Sequence, residues 1–131
     1  MIAVDTSAIV AIALLEPEAL AFGEMITGTP CLIGWPTVVE CHMVLSGIPR
    51  RRGLDTLDKA LASPRLTLLP FDGALYEAAR DAFDRYGKGR GHRAQLNFGD
   101  CLAYAVAKVQ NVPLLYKGAD FARTDIRPAL Q

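Results

Sequence analysis

The sequence predicts an α/β fold: one domain, residues 1–131, with a central parallel sheet covered by helices on both faces. Three observations carry this. Short apolar runs alternate with longer stretches of helical periodicity, and strands separated by helices need crossover connections, which give a parallel sheet. The first of those runs is nearly all apolar rather than alternating, as suits a strand buried on both faces. A chain of 131 residues, 51% hydrophobic and 21% charged, has the size and composition of a single globular domain.

The elements follow in order. Met1–Asp5 fits a short buried strand. Thr6 to Leu15 has a helical pattern that Glu16-Pro17 ends or kinks before a second helix reaching about Thr27. Cys31–Gly34 is the next strand, and Pro36 opens a helix that runs to about Ser46 before Gly47 and Pro49. Leu54–Ala62 is a shorter helix, and the strand Leu66–Leu69 stops at Pro70. Asp72 is placed to cap a helix through Tyr86. A glycine-rich basic loop spans Gly87 to Leu96, then come a helix over Phe98–Val109 and a strand over Pro113–Tyr116. There is no internal repeat, low-complexity segment or linker.

Composition excludes several classes. The three cysteines, Cys31, Cys41 and Cys101, are odd in number and lack CxxC spacing, so they read as reduced, buried thiols. No basic n-region precedes the first apolar stretch, which Asp5 interrupts, and Ala8–Leu15 is too short to span a bilayer. The expectation is a soluble cytoplasmic protein. Net charge is zero, yet every charged residue from Arg85 to Gly99 is basic: Arg85, Lys88, Arg90 and Arg93. Arg50, Arg51 and Arg52 form a second basic cluster.

Function in an open parallel sheet gathers at the carboxyl ends of the strands. Asp5 ends the first strand, where it also suits a helix cap. Thr37 and Glu40 have capping-box spacing, although Pro36 points to an earlier helix start. Asp100 opens the helix from Phe98, with Asn97 as its cap. On that helix Phe98, Cys101, Leu102, Ala105, Val106 and Val109 form one apolar stripe. The other face is small and uncharged apart from Asp100, as in a buried helix. Capping explains why one acid is tolerated, but not why three acids open three helices beside one sheet. Two unit charges ~4 Å apart repel by about 4 kcal/mol at an effective dielectric of about 20, and a divalent cation removes that penalty. All-oxygen donors suit Mg²⁺ or Mn²⁺. Asp120, after the last strand, is a candidate fourth carboxylate.

These residues resemble the PIN-domain family, and within it the VapC-type toxins of bacterial toxin–antitoxin pairs. Val4-Asp5-Thr6-Ser7-Ala8 looks like the family's first motif, and Glu40 matches its second acid. Leu96-Asn97-Phe98-Gly99-Asp100-Cys101-Leu102-Ala103-Tyr104-Ala105 resembles the third motif, and Leu114 to Phe121 the fourth, which ends in Asp-Phe. The set runs in order along the whole chain. Gly118 departs from it, because many relatives carry Asp or Asn two residues before that last aspartate. The resemblance implies an Mg²⁺-dependent endoribonuclease in which Asp5 and Asp100 ligate metal. Glu40 would help hold the metal and orient water, with Asp120 as a further acid and Thr6 or Ser7 contacting phosphate or metal-bound water. Arg85, Lys88, Arg90 and Arg93 would track RNA, and a cognate antitoxin and a homodimer are the implied partners.

Competing readings are weaker. Zinc would want paired close ligands, which Cys41-His42 and Cys101 do not supply. His42 and His92 lack a catalytic-triad signature. A phosphoaspartyl phosphatase needs an acid where Ser7 stands, and a receiver domain needs paired acids at the first strand end. Tyr104 and Trp35 read as core or interface residues rather than RNA-stacking platforms. A non-catalytic PIN-like scaffold binding protein or RNA is the alternative, against which the intact acids stand.

Overall fold

The computed structural model describes residues 1–130, apart from the side chain of Arg50. Four parallel strands form one sheet in the order β3-β2-β1-β4: β1 Ile2–Val4, β2 Cys31–Gly34, β3 Leu66–Leu69 and β4 Leu114–Leu115. Ile2 lies opposite Cys31, Ala3 opposite Leu32 and Leu114, and Val4 opposite Leu115. Each central strand divides its side chains between two apolar clusters. Ala3, Leu32 and Leu114 face one; Ile2, Val4, Cys31, Ile33 and Leu115 face the other. This period of two with both faces buried is what makes the strands read as unbroken apolar runs.

Helices α1 (Thr6–Ala13), α2 (Ala19–Gly28), α3 (Trp35–Leu45) and α4 (Arg52–Leu61) supply one cluster. Helices α5 (Gly73–Tyr86) and α6 (Phe98–Gln110) supply the other. The chain therefore winds outward through β1, β2 and β3 beneath the first four helices. It then returns over the opposite face to lay β4 on the far side of β1. Helix α1 leaves one face and α6 arrives from the other, so a crevice opens at the carboxyl ends of β1 and β4.

The local signals explain most boundaries. Helix α1 stops two residues short of the expected Leu15, because Leu15 takes a left-handed conformation at φ 54°. Asp72 caps α5, accepting from the Leu75 amide at 3.0 Å. Asn97 and Asp100 make a complete capping box on α6, and Asn111 ends that helix with left-handed backbone. Of the two readings of the start of α3, the Thr37–Glu40 capping box does not form and the earlier start that Pro36 pointed to is the one observed. Gly34 precedes the first turn of α3 and Pro36 sits within it, so Thr37 is already helical and buried.

The apolar stripe predicted on α6 is corrected at its ends. Its end members Phe98, at 81%, and Val109 are exposed; Cys101, Leu102, Ala105 and Val106 are buried, and so are Ala103, Tyr104 and Ala107 on the opposite face, as expected of a buried helix. The helix is enclosed on all sides from Cys101 to Ala107, so periodicity did not select its inner face. Trp35 is half exposed at the start of α3, so it does not belong to the core, while Tyr104 does. Cys31, Cys41 and Cys101 are free and buried. Among the described residues no helix is long and apolar enough to cross a membrane.

Candidate active site

The crevice gathers the sequence-predicted acids from four places in the chain. Asp5 follows β1 and caps α1, Glu40 lies on α3, Asp100 stands in the first turn of α6, and Asp120 follows β4. Asp5 is 4% exposed, and the charged groups acting on it are Asp100 and Glu40. Burial, opposed by hydrogen bonds from Ser7, lifts its carboxyl from 3.8 to about 6, and the two neighbouring acids add to the rise. Asp100 is likewise raised, by burial first and then by Asp120 and Glu40 against a lowering bond from the Asn97 amide. The four acids thus form one electrostatic neighbourhood. Asp120 is its exposed member. Among the described residues no group of three or more His, Cys, Asp or Glu side chains stands close enough to hold a metal ion as it is.

Hydrogen bonds fix two of these acids. Asp5 Oδ2 accepts from the Ser7 amide at 3.0 Å and from the Ser7 hydroxyl at 2.6 Å. Glu40 Oε1 accepts from the Thr6 hydroxyl, which in turn accepts from the Cys41 thiol at 3.5 Å. Burial pushes that thiol up to about 11, so it stays protonated as a donor. On its other side the Glu40 carboxylate lies against the backbone of Gly99, next to Asp100. Thr6 and Ser7 direct their hydroxyls at Glu40 and Asp5. They orient the acids.

The basic residues separate into two groups. Lys88, Arg90 and Arg93 are exposed on the loop, which is closed at its base by hydrogen bonds between Lys88 and Leu96 and between Leu96 and Tyr86. Lys88 shares a groove with Asn97, Phe98 and Cys101 at the start of α6. Arg85 is different. Its guanidinium pairs with Asp81 at 3.3 Å and Asp125 at 3.8 Å and lies 4.7 Å over the Tyr86 ring, which spends its charge within the fold. Arg51 and Arg52 are exposed at the start of α4, away from the acids; the side chain of Arg50 lies outside the described residues.

Sequence reasoning missed Gly99, whose missing side chain seats Glu40, and Lys117. The Lys117 amide donates to the Ser7 hydroxyl at 2.9 Å, and its ammonium pairs with Glu16 and Glu18. Both sit inside motifs that sequence reading did notice, but neither carries a chemical signature of its own.

Comparisons with known proteins agree with this architecture. A family model described as PIN domain matches residues 2–127. Ribonuclease VapC of Mycolicibacterium smegmatis is 40% identical over 124 residues, which cover 94% of this chain and 95% of that protein. The crystal structure of VapC20 of Mycobacterium tuberculosis, described as a sarcin–ricin loop cleaving toxin, aligns with a TM-score of 0.73 at 16% identity, covering 98% of this chain and 100% of that one. A chain of a toxin–antitoxin complex from Klebsiella pneumoniae aligns at 0.68 and 16% identity, covering 95% of this chain and 93% of that one. With a family model spanning nearly its whole length and a relative of this similarity, the chain belongs to the PIN-domain family.

Proposed function

We propose that this chain is a metal-dependent endoribonuclease, the toxic component of a toxin–antitoxin pair. The observation that carries the reading is the convergence of Asp5, Glu40 and Asp100 from three elements onto one crevice, where the charges acting on Asp5 are other acids. The similarity to a VapC ribonuclease supports the substrate class. Buried like charges of this kind call for a cation, and a set of carboxylate oxygens suits Mg²⁺, with Mn²⁺ as a substitute. Asp5, Asp100 and Glu40 would hold it, with Asp120 flanking them at the exposed rim. Bound there, the ion would lower the pKa of a coordinated water and offset charge on the phosphoryl oxygens.

The chain's own residues supply the rest. Ser7 holds one oxygen of Asp5 and leaves Oδ1 without a hydrogen bond among the described residues. Thr6, backed by Cys41, aims Glu40, which is placed to accept a proton from an attacking water. Lys88, Arg90 and Arg93, exposed on the loop before α6, would bind the RNA backbone through its phosphates. Single-stranded loops suit this surface, because the major groove of A-form helices is too deep and narrow to read.

Purified protein should cleave RNA in Mg²⁺ or Mn²⁺, stop in chelator, and lose activity in Asp5→Ala and Asp100→Ala. An Asp100→Ala protein as active as wild type would sink the mechanism. Co-expression with the neighbouring open reading frame should relieve growth arrest if that frame encodes the antitoxin. Sedimentation analysis tests the proposed homodimer.

A further inference from the structure

The parallel ladder between β1 and β4 does not stop where the strands stop. The Asp5 amide donates to the Leu115 carbonyl at 2.9 Å. Two residues on, the Lys117 amide donates to the Ser7 hydroxyl at 2.9 Å, so a side chain takes the place that a backbone carbonyl would hold. That same hydroxyl gives its proton to Asp5 Oδ2 at 2.6 Å. A hydroxyl has one proton and two lone pairs. With the Lys117 amide occupying its acceptor side, its proton is directed at Asp5.

The other end of Lys117 is anchored independently. Its ammonium reaches across to Glu16 and Glu18 in the connection between α1 and α2. Glu18 Oε2 is buried without a hydrogen-bond partner among the described residues, and the ammonium 3.3 Å away is what offsets its charge. One residue later Gly118 turns the chain at φ 108° toward Asp120. Lys117 is thus held at both ends, between the segment carrying Asp5 and the loop carrying Asp120.

We propose that Lys117 is a positioning residue for the acidic centre: its ammonium fastens the loop after β4 to Glu16 and Glu18, and its amide thereby fixes Ser7 and the orientation of Asp5. The assignment rests on the reading of Asp5 as a cation ligand. Groups that orient a ligand in this way typically change metal affinity by about 10- to 100-fold when removed. Removing Lys117 leaves the buried Glu18 Oε2 without its counter-charge, whereas neutralising Glu16 and Glu18 removes the pair without stranding a charge, so the double variant separates positioning from stability.

The test uses the full chain in wild-type form and as Lys117→Met, Lys117→Arg and the double variant Glu16→Gln/Glu18→Gln. Mn²⁺ binding is measured by calorimetry without RNA, amide hydrogen exchange over residues 116–120 without metal, and the thermal midpoint for each. Lys117→Met and the double variant should weaken Mn²⁺ binding at least about tenfold and speed exchange at residue 117, with the midpoint near wild type in the double variant and lowered in Lys117→Met. Lys117→Arg should recover most of the affinity. Unchanged Mn²⁺ affinity in Lys117→Met, or no recovery in Lys117→Arg, overturns the assignment. If Lys117→Met does not fold, wild-type affinity in the double variant overturns it instead. If wild type binds no Mn²⁺, the proposed metal centre falls and this role with it; intact wild-type binding with unaffected variants sinks only the role of Lys117.

Discussion

Glu40 and Gly99 meet across the boundary between α3 and α6: a Cβ on Gly99 would fall 1.7 Å from Glu40 Oε2 and 2.5 Å from its carboxyl carbon. The absent side chain is the seat of the carboxylate. Gly99→Ala should therefore move Glu40, which is the free end of a flexible side chain, and not the helix. Alanine in a helix gains up to about 1 kcal/mol over glycine, so stability should stay near wild type. A displacement of about 1 Å at a catalytic group costs on the order of hundredfold in rate. Thermal denaturation beside single-turnover cleavage checks this, and a fully active Gly99→Ala protein would show that the position of Glu40 is unimportant.

The Asp5 carboxyl, raised to about 6, gives the metal-free protein a defined pH dependence. Between the ordinary value of 3.8 and about 6, the native state keeps a proton that the unfolded chain has released. Stability therefore falls as pH rises through that window and levels off above it. The full shift corresponds to at most about 3 kcal/mol. Asp5→Asn has nothing to ionise there and keeps an oxygen for Ser7. Urea unfolding of both proteins in chelator, from pH 4 to 7, should show the variant gaining on wild type as pH rises. Parallel curves would mean that Asp5 ionises freely in the fold.

Lys88, Arg90 and Arg93 carry no ion pair among the described residues, unlike Arg85. Replacing all three with alanine should lower the slope of log K against log salt for single-stranded RNA by about 2, at roughly 0.7 per phosphate contact. Arg85→Ala should leave the slope unchanged. Binding titrations with a catalytically inactive background at several salt concentrations distinguish the two groups; an equal effect of Arg85→Ala would return it to the RNA path.

Tyr104 is fully buried, and its hydroxyl donates to Asp125 at 2.8 Å. Burial would raise Asp125, but hydrogen bonds from Lys108 and Tyr104 hold it below its ordinary value. Tyr104→Phe should cost about 1 kcal/mol of stability and leave cleavage unchanged, because the ring stays packed and the acid keeps Lys108. A variant with normal stability and lost RNA binding would contradict its place in the core.

The parallel sheet was legible because its signals are local: short apolar runs, Asp72 and Asn97 at helix starts, and proline or glycine near helix ends. The acids were legible because carboxylates are costly to bury, and Asp5 stood at a strand end. What sequence reading missed depends on distance. The Ser7 bond to Asp5 is local, but Thr6 reaches Glu40 34 residues away and Ser7 also takes the Lys117 amide 110 residues away. Phe98 and Val109 fitted an apolar stripe, but no periodicity shows that α6 is enclosed only from Cys101 to Ala107 and exposes these two at its ends. Arg85 reads like its basic neighbours until Asp125 is folded against it.

The place of β1 between β2 and β4 has a consequence for how the protein is made. One edge of the first strand is filled by β2, but the partner for the other comes only at Leu114–Leu115, more than a hundred residues later in the chain. Until then Asp5 lacks its Leu115 partner, Ser7 lacks Lys117, and Asp120 has not been synthesised. Such long-range pairing is slow and comes late in folding. A chain cut before Leu114 therefore loses the β4 edge, the Lys117 bond to Ser7 and Asp120 together, so the acidic centre and the last strand stand or fall as one unit.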